Sequence, residues 1–314
     1  MIPTQTSVLK AIVHALPEKK LVNEEIEKRF TNNKRLQSFL KITGIQERRI
    51  VEENQCASDL AFAAVKKIFD TTNITPESID LLTFCSYTPD YRIPATACLL
   101  QHRLGLSENC CTFDLNQACP AFIHNLAVVH GLLVSGTAKR ALAINADAIT
   151  QLIHPKDYSL IALHGDAAVA VVLEVGEINK NNGIEWFEFG TDGSQWERLS
   201  VVGGAARKKY DNQIIQEYDE ENEKVLSPYY LKMDGTAIFH FAIHKIPVFV
   251  RNSLEKHQAK IEDYDLILFH QVNRMMIDMI YKILKVPQEA RFYYLENVGN
   301  LSSVSLPAVL SEAF

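Results

Sequence analysis

The sequence contains no long apolar segment, no excess of basic residues and no paired cysteine motif. No stretch approaches about 18 uninterrupted apolar residues, so no membrane-spanning helix is predicted, and the first residues lack the charged segment and apolar block of a secretory signal. The formal net charge of −6 argues against a nucleic-acid-binding protein. None of the six cysteines forms a C-x-x-C pair, so we expect no disulfide framework and a reducing, cytoplasmic compartment.

The 314 residues, 47% of them hydrophobic, suffice for a large core or for two fused halves. Strand-like and helix-like segments alternate through the first half, which predicts an α/β sheet with helices on both faces. A helix is predicted over residues 57–69, and strands over residues 79–85, 110–115, 141–146 and 160–173. A polar, turn-rich stretch at 177–183 separates a first domain, residues 1–176, from a second domain, residues 184–314.

The second half repeats the order of the first. A long helix is predicted over 238–254, and the segment YDLILFH at 264–270 matches IDLLTFC at 79–85 nearly residue for residue. Residues 295–309 align with 115–129 and place the turn of Gly299 and Asn300 on the turn that holds Cys119. These matches predict an internal duplication. By the same logic, roughly 40 residues that would complete the second sheet are expected to be absent from this sequence.

Cys119 lies between the strand predicted at 110–115 and a second helix. That helix is indicated by apolar residues three or four positions apart, at Phe122, Leu126, Val129 and Leu133. Pro120 suits the first helical position, where its missing N–H has no intrahelical partner. A thiol at a helix start faces unpaired N–H groups and the positive end of the helix dipole, which favour the thiolate. The alternative is a small, inert core cysteine.

The duplication places Cys119, His270 and Asn300 at matching strand ends or strand-to-helix turns. In open α/β sheets, sites form beyond the carboxyl ends of the strands. A cysteine nucleophile, an imidazole and an amide donor together can perform acyl transfer, because the cysteine carries the acyl group while the other two donate hydrogen bonds to a carbonyl oxygen. On its own, His270 also fits a structural histidine, and Asn300 also fits a turn residue.

With these residues in place, the chain resembles the β-ketoacyl-acyl-carrier-protein synthase III family of the thiolase superfamily from about residue 40 onward. The motifs that carry the resemblance are TGIQERR at 43–49, FDLNQACPAF at 113–122, SGTAKR at 135–140, GD at 165–166, MDG at 233–235, FHQVN at 269–273 and GN at 299–300. The resemblance implies a thiolase-like, five-layered αβαβα fold with two pseudo-symmetric halves, a homodimer, and a catalytic triad of Cys119, His270 and Asn300.

The resemblance also implies the reaction. Cys119 takes an acyl group from a coenzyme A or acyl-carrier thioester, and a malonyl-type thioester then loses carbon dioxide and attacks that acyl group, in fatty-acid or specialised metabolite synthesis. No metal and no organic redox cofactor is expected. The substrate-binding residues carried over from the family are Ile93, Phe122, Gly235, Phe239, Asn273 and Arg274, and Ile93 is expected to reach the acyl pocket of the partner subunit.

Several positions depart from the family pattern. Ser38 and Ile42 replace a Trp and an Arg that grip the nucleotide of coenzyme A, and Tyr158 replaces a further nucleotide-contacting Arg. The loss of guanidinium groups weakens phosphate recognition, so we expect a carrier-bound or longer acyl donor rather than acetyl-CoA. Residues used for carrier docking become His240 and Met275, and Pro120 with Ala121 is expected to reshape the mouth of the acyl pocket. The family's glycine-rich final segment, whose backbone N–H helps to bind the oxyanion, has no counterpart here.

Two other functions fit the sequence. The first is an acyltransferase of the same fold that passes the acyl group from Cys119 to a non-malonyl acceptor. The second is a non-catalytic subunit that pairs with an active homologue. Release of carbon dioxide from a malonyl donor distinguishes the condensing enzyme from the first alternative, and activity of the chain alone excludes the second.

Overall fold

The computed structural model describes residues 5–31, 33–177, 183–211, 218–219, 224–225 and 227–313. The helices in these residues are α1 (Asn23–Arg29), α2 (Lys34–Thr43), α3 (Ala57–Thr71), α4 (Thr96–Arg103), α5 (Ala121–Val134), α6 (Tyr158–Ile161), α7 (Gly235–Lys256), α8 (Arg274–Leu284) and α9 (Ser305–Ala313). The strands are β1 (Gln5–Ala15), β2 (Lys20–Val22), β3 (Glu47–Arg49), β4 (Leu81–Cys85), β5 (Cys111–Leu115), β6 (Arg140–Asp147), β7 (Ala167–Glu177), β8 (Leu199–Ser200), β9 (Tyr218–Asp219), β10 (Lys224–Val225) and β11 (Lys232–Met233).

A five-stranded mixed sheet in the order β1-β7-β6-β4-β5 forms the centre of the first half. Strand β4 runs parallel to both β5 and β6, whereas β7 runs antiparallel to β6 and β1. All five residues of β4 are buried, and the apolar run of β6 is buried as well, because helices cover both faces of the sheet. Because β4, β5 and β6 run in the same direction, their carboxyl ends lie at the same end of the sheet, and the site lies at that end.

Helices α3 and α4 cover one face of this sheet, and α5 and α9 pack on the other. Helix α3 buries Leu60, Ala64 and Ile68, the stripe that predicted it, against strand residues such as Leu142. On the opposite face, α5 contributes Phe122, Val129 and Leu133, α9 contributes Ala308, and Val304 packs there from the turn just before α9. A helix from the second half thus packs on the sheet of the first half, which fixes the loop before α9 relative to Cys119.

A separate core in the second half forms between α7 and α8. Helix α8 buries Ile277, Ile280 and Tyr281, and the phenol of Tyr281 donates a hydrogen bond of 2.7 Å to the carbonyl of Ile267. The segment 264–270, predicted as a strand, makes one isolated bridge, between Ile267 and Arg291, and no ladder within the described part of the chain. None of its seven residues is fully buried: six are partly exposed and Asp265 is exposed, which is consistent with the absence of flanking strands in the described residues.

The predictions for the first half hold except at two strands. Residues 57–69, 79–85 and 141–146 correspond to α3, β4 and β6, and 238–254 lies inside α7. The strand predicted over 160–173 is wrong in its first part, because Asp157 caps α6 by accepting a hydrogen bond of 3.1 Å from the Leu160 N–H and β7 begins only at Ala167. Strand β5 forms as predicted, but it is partly exposed rather than buried because it is the edge of the sheet.

The predicted domain boundary at 177–183 lies mostly outside the described residues, since 178–182 are not among them. No helix in the described ranges is both long enough and apolar enough to cross a membrane.

Candidate active site

Cys119 lies in the turn between β5 and α5, as the sequence predicts. The turn is closed by a hydrogen bond of 2.9 Å from the Ala121 N–H to the carbonyl of Ala118. Pro120 caps α5 instead of occupying its first helical position, so the helix begins one residue later than predicted. Cys119 is partly exposed, so a substrate can reach this turn from the carboxyl end of the strands.

The surroundings of Cys119 disfavour the thiolate expected from the helix start. Burial raises the pKa of the Cys119 thiol to about 11, and the nearby carboxylate of Asp147 adds to the shift. The backbone N–H of Cys119 and the hydroxyl of Ser302 act in the opposite direction but do not offset the burial. With this pKa, about one molecule in 10⁴ carries the thiolate at pH 7, so the reaction needs a group that accepts the thiol proton.

His270 provides an imidazole that makes no hydrogen bond to any residue the structure describes. Its Nδ1 and Nε2 atoms are both buried and unpaired among the described residues. Burial, assisted by the neighbouring His164, lowers the pKa of His270 to about 4, so the ring is neutral near pH 7. A neutral imidazole accepts a proton at one nitrogen and donates a hydrogen bond from the other, and both functions are available here. Buried polar groups are nearly always paired, so this unpaired ring fits one that meets a substrate.

Asn300 is held where two chain segments cross. The Asn300 N–H donates to the carbonyl of Leu163 at 2.8 Å, and the Gly165 N–H donates to the carbonyl of Asn300 at 3.1 Å. The side-chain Oδ1 of Asn300 accepts a hydrogen bond of 3.0 Å from the Ser302 N–H, which fixes the orientation of the amide. Asn300 is 4% exposed, and its backbone bridges that of His164, the residue that acts on His270.

The crossing depends on two glycines. A Cβ on Gly165 would lie 2.2 Å from the carbonyl oxygen of Val298, and Gly299 adopts a φ of +80°. The absence of a side chain at Gly165 therefore permits the close approach of residues 298–300. Asp166 is buried and accepts hydrogen bonds from the N–H groups of Val51 and Thr150, both at 2.9 Å.

The segment 300–305 connects the three predicted catalytic residues. The Ser302 hydroxyl lies near enough to Cys119 to lower the pKa of its thiol, and the Ser305 hydroxyl accepts a hydrogen bond of 2.8 Å from the N–H of Gln271, the residue after His270. Together with Asn300 itself, these contacts bring the cysteine, the histidine and the asparagine to one short stretch of chain. Their catalytic roles remain predictions.

Sequence reasoning missed a buried carboxylate beneath the site. Asp147, 1% exposed, ends β6 and accepts hydrogen bonds from the Ser86 hydroxyl at 2.9 Å and from the Tyr87 N–H and Thr88 hydroxyl, both at 3.2 Å. Its second oxygen accepts from the Ser303 hydroxyl and, at 3.3 Å, from the Ser303 N–H. Burial raises the pKa of Asp147 to about 7. The strand-end rule that selected Cys119 applies equally to Asp147 and would have found it.

Four of the predicted substrate-binding residues lie in different surroundings. Ile93 is 87% exposed, whereas Phe122 is buried in the core beside the sheet. Gly235 begins α7 with open space where a Cβ would stand, and Phe239 packs beside the core of α7 and α8. The structure does not test their roles toward a substrate.

Asn273 and Arg274 stand at the start of α8. The side chain of Asn273 caps the helix by accepting a hydrogen bond of 2.8 Å from the Met276 N–H. Arg274 is half-exposed, forms an ion pair of 3.0 Å with Asp278, and lies 3.9 Å from the ring centre of Tyr293. These contacts stabilise the start of α8, so both residues have a structural role in addition to any contact with substrate.

Comparisons with known proteins relate the chain to one enzyme family. The family described as 3-oxoacyl-[acyl-carrier-protein (ACP)] synthase III matches residues 113–193, and the family described as the C-terminal part of that enzyme matches residues 254–314. The β-ketoacyl-[acyl-carrier-protein] synthase III of Clostridium perfringens is 35% identical over 294 residues, which cover 91% of this chain and 86% of the relative. That of Natranaerobius thermophilus is 32% identical over 303 residues, covering 95% and 88%.

A solved structure gives the same answer for the fold. The crystal structure of a 3-oxoacyl-(acyl-carrier-protein) synthase III matches with a TM-score of 0.92 at 30% identity, covering 98% of this chain and 90% of that one. This similarity confirms the predicted thiolase-like α/β fold. The chain belongs to the β-ketoacyl-acyl-carrier-protein synthase III family, whose members are acyltransferases.

Proposed function

We propose that this protein is a condensing enzyme of ketosynthase III type, in which Cys119 carries the acyl group. The observation that carries the proposal is that the segment 300–305 lies beside both other residues: Ser302 lowers the pKa of the Cys119 thiol, and Ser305 accepts a hydrogen bond from the residue after His270. Family membership supports the reaction type, since the relatives are β-ketoacyl-acyl-carrier-protein synthases III. Fatty-acid or specialised metabolite synthesis is the corresponding context.

The first step transfers the acyl group. The Cys119 thiol gives its proton to the neutral imidazole of His270, and its sulfur attacks the carbonyl carbon of an acyl thioester. The bond between that carbon and the pantetheine sulfur breaks, and the departing thiolate recovers the proton from the imidazolium. The products are an acyl-cysteine and a free pantetheine thiol. Because the Cys119 thiol is protonated near pH 7, this step needs a proton acceptor, and we assign that role to His270.

The second step forms the carbon–carbon bond. A malonyl thioester loses carbon dioxide, and the electron pair of the broken bond becomes an enolate. We assign the stabilisation of the enolate oxygen to hydrogen bonds from the imidazole N–H of His270 and the amide of Asn300. The enolate carbon attacks the acyl carbon on Cys119, the carbon–sulfur bond breaks, and the sulfur takes up a proton from solvent. These steps balance without a metal or redox cofactor.

The donor is proposed to be carrier-bound or to have a longer acyl chain. Ser38 and Ile42 lie on α2 and present no charge, and the Tyr158 ring packs edge-to-face against Phe30 with 6.0 Å between ring centres. None of the three can bind a nucleotide phosphate as a guanidinium does. Comparing Cys119 acylation by matched acyl-CoA and acyl-carrier donors tests this choice, and faster acylation by short acyl-CoA would overturn it.

We also propose a cytoplasmic homodimer. Ile93 and Tyr91 are 87% and 61% exposed, and strand β5 nearby is an uncovered sheet edge. Exposed apolar side chains beside a sheet edge favour burial by a second copy. Size-exclusion chromatography with light scattering tests the stoichiometry, and a monomer at micromolar concentration would contradict it.

Intact-protein mass spectrometry tests the central step. After incubation with acyl thioesters, the wild type should gain the mass of one acyl group, and peptide mapping should place it on Cys119. Cys119→Ala should gain none, whereas the matched control Cys98→Ala, which removes an exposed cysteine, should be acylated like the wild type. An unacylated wild type, or acylation that survives in Cys119→Ala, would overturn the proposal.

A further inference from the structure

The loop that follows β4 and the loop that precedes α9 are joined through the carboxylate of Asp147. One carboxylate oxygen accepts a hydrogen bond of 3.2 Å from the Tyr87 N–H, and the other accepts a hydrogen bond of 3.3 Å from the Ser303 N–H. Asp147 is 1% exposed, so it has little freedom to move. A backbone N–H of each loop is therefore bound to the same buried carboxylate, which fixes one loop relative to the other.

A second contact between these loops is a hydrogen bond of 2.6 Å between the hydroxyls of Tyr87 and Ser302. The ring of Tyr87 packs against an apolar cluster that contains Ile149, Leu160 and Leu231. Its phenol oxygen is thereby held in place, and the buried side chain of Ser302 is bound to it.

The backbone of Ser302 has a conformation that its surroundings must impose. Its φ is +52°, in the left-handed region that residues with a side chain rarely adopt. Such strain persists only where neighbouring contacts over-determine it. Here Asp147 binds the next residue, Ser303, and Tyr87 binds the side chain of Ser302 itself. Because Ser303 is anchored, the φ of Ser302 determines where the Ser302 N–H lies.

That N–H orients the side chain of Asn300. The Oδ1 atom of Asn300 accepts a hydrogen bond of 3.0 Å from the Ser302 N–H. The backbone of Asn300 is fixed separately by its hydrogen bonds to Leu163 and Gly165, so the contact with Ser302 sets the rotation of the amide. With Oδ1 engaged inside the loop, the two N–H donors of Nδ2 lie on the other side of the amide group.

We propose that Tyr87 is a positioning residue for the condensing step: its hydroxyl, acting through Ser302, orients the amide of Asn300 toward the enolate oxygen. The inference rests on the proposed function, which assigns Asn300 a hydrogen bond to that oxygen. Acyl transfer uses the Cys119 thiol and the imidazole of His270, so loss of the Tyr87 hydroxyl affects the second step and spares the first.

Single-turnover kinetics of the two steps test this proposal. Acylation of Cys119 by an acyl-carrier thioester is followed by intact-protein mass spectrometry, and the acylated enzyme is then mixed with a malonyl-carrier thioester to measure carbon dioxide release. In Tyr87→Phe, which keeps the ring, carbon dioxide release should slow about fivefold, as expected for the loss of one hydrogen bond. The acylation rate should change less than about twofold. A purely structural role for the hydroxyl would not separate the two steps in this way.

Three further variants make the test specific. Ser302→Gly removes the same hydrogen bond from the other side and adopts a φ of +52° without a steric penalty, so it should slow carbon dioxide release by a similar factor. Tyr87→Phe combined with Asn300→Ala should be no slower than Asn300→Ala alone, because the phenol acts through the amide. Tyr294→Phe, which removes a phenol bonded to His14 at 3.2 Å, is the matched control and should leave both steps unchanged.

Carbon dioxide release at the wild-type rate in Tyr87→Phe, or an equal slowing of acylation, would overturn the positioning role. A further loss when Tyr87→Phe is added to Asn300→Ala would overturn it as well, because the phenol would then act by another route. A wild type that is acylated but releases no carbon dioxide would contradict the proposed function, and this inference with it. Failure of the inference alone is therefore distinguishable from failure of the proposed function.

Discussion

Residues 79–85 and 264–270 carry nearly the same sequence pattern and have different surroundings. Leu81–Cys85 forms β4, which is entirely buried and hydrogen-bonded to a parallel strand on each side. The segment 264–270 has no fully buried residue and, within the described part of the chain, makes one isolated bridge, between Ile267 and Arg291. An apolar run becomes a strand only where neighbours complete the ladder. The first half therefore supplies a rigid frame, and the second half supplies His270 and Asn300 through a few specific contacts.

The largest expected effect comes from breaking the crossing that joins the halves. Gly165→Ala places a Cβ 2.2 Å from the carbonyl oxygen of Val298, so a backbone segment must move. We expect a loss of about 3 kcal/mol or more in the free energy of unfolding, measured by urea titration. Gly131→Ala is the control, because this glycine lies in α5 with open space around it and should gain up to about 1 kcal/mol. Equal stabilities of the two variants would contradict the account of the crossing.

Truncating equivalent leucines measures the difference between the halves directly. Leu81 and Leu266 occupy the same position of the duplicated pattern, but Leu81 is fully buried whereas Leu266 is partly exposed. Leu81→Ala should cost about 3–4 kcal/mol of unfolding free energy, and Leu266→Ala about 1 kcal/mol. Equal losses of unfolding free energy, measured by thermal or urea unfolding, would show that residues 264–270 are packed as tightly as β4.

Asp147→Asn breaks a contact through which the first half holds the loop that contains Ser303. The amide cannot accept hydrogen bonds from both the Tyr87 N–H and the Ser303 N–H, so we expect a loss of about 2 kcal/mol in unfolding free energy. Removing the carboxylate also lowers the pKa of the Cys119 thiol, so alkylation at pH 8 should accelerate.

Asp114→Asn is the matched control, since Asp114 accepts hydrogen bonds from the Thr96 and Ala97 N–H groups at 2.7 and 2.8 Å. It should lose comparable stability without changing the Cys119 rate. Slower alkylation in Asp147→Asn would contradict the sign of the electrostatic effect.

The smallest perturbation is a change of pH. The pKa of Cys119 is raised to about 11, so the thiolate fraction, and with it the alkylation rate, should rise about tenfold per pH unit from pH 7 to pH 10. A stopped series of alkylation reactions read by mass spectrometry gives this profile. A plateau below pH 9 would show that the helix start dominates over burial at this thiol.

The sequence correctly predicted the elements whose conformation is decided by the pattern of their own residues. Helix α3 and strands β4 and β6 carry continuous apolar patterns, and a large buried surface makes such patterns decisive. The strand predicted over 160–173 is wrong before Ala167, because α6 occupies residues 158–161 and Gly165 packs against the backbone of Val298, far along the chain. The position of Cys119 was predictable, but its protonation state was not. The prediction of a thiolate considered only the N–H groups adjacent to Cys119 in the chain. In the structure, burial and Asp147 raise the pKa of Cys119. The groups near its thiol come from residues 87, 147 and 302, which are distant in sequence.

A single-turnover experiment tests the central claim most directly. Enzyme carrying one labelled acyl group on Cys119 is mixed with a malonyl thioester, and carbon dioxide release is measured together with the loss of acyl mass. We predict one carbon dioxide for each acyl group lost, with a β-ketoacyl thioester as product. Loss of the acyl group without carbon dioxide, or an acyl-cysteine that persists in the presence of the malonyl thioester, would contradict the assignment of Cys119, His270 and Asn300 to a condensing site.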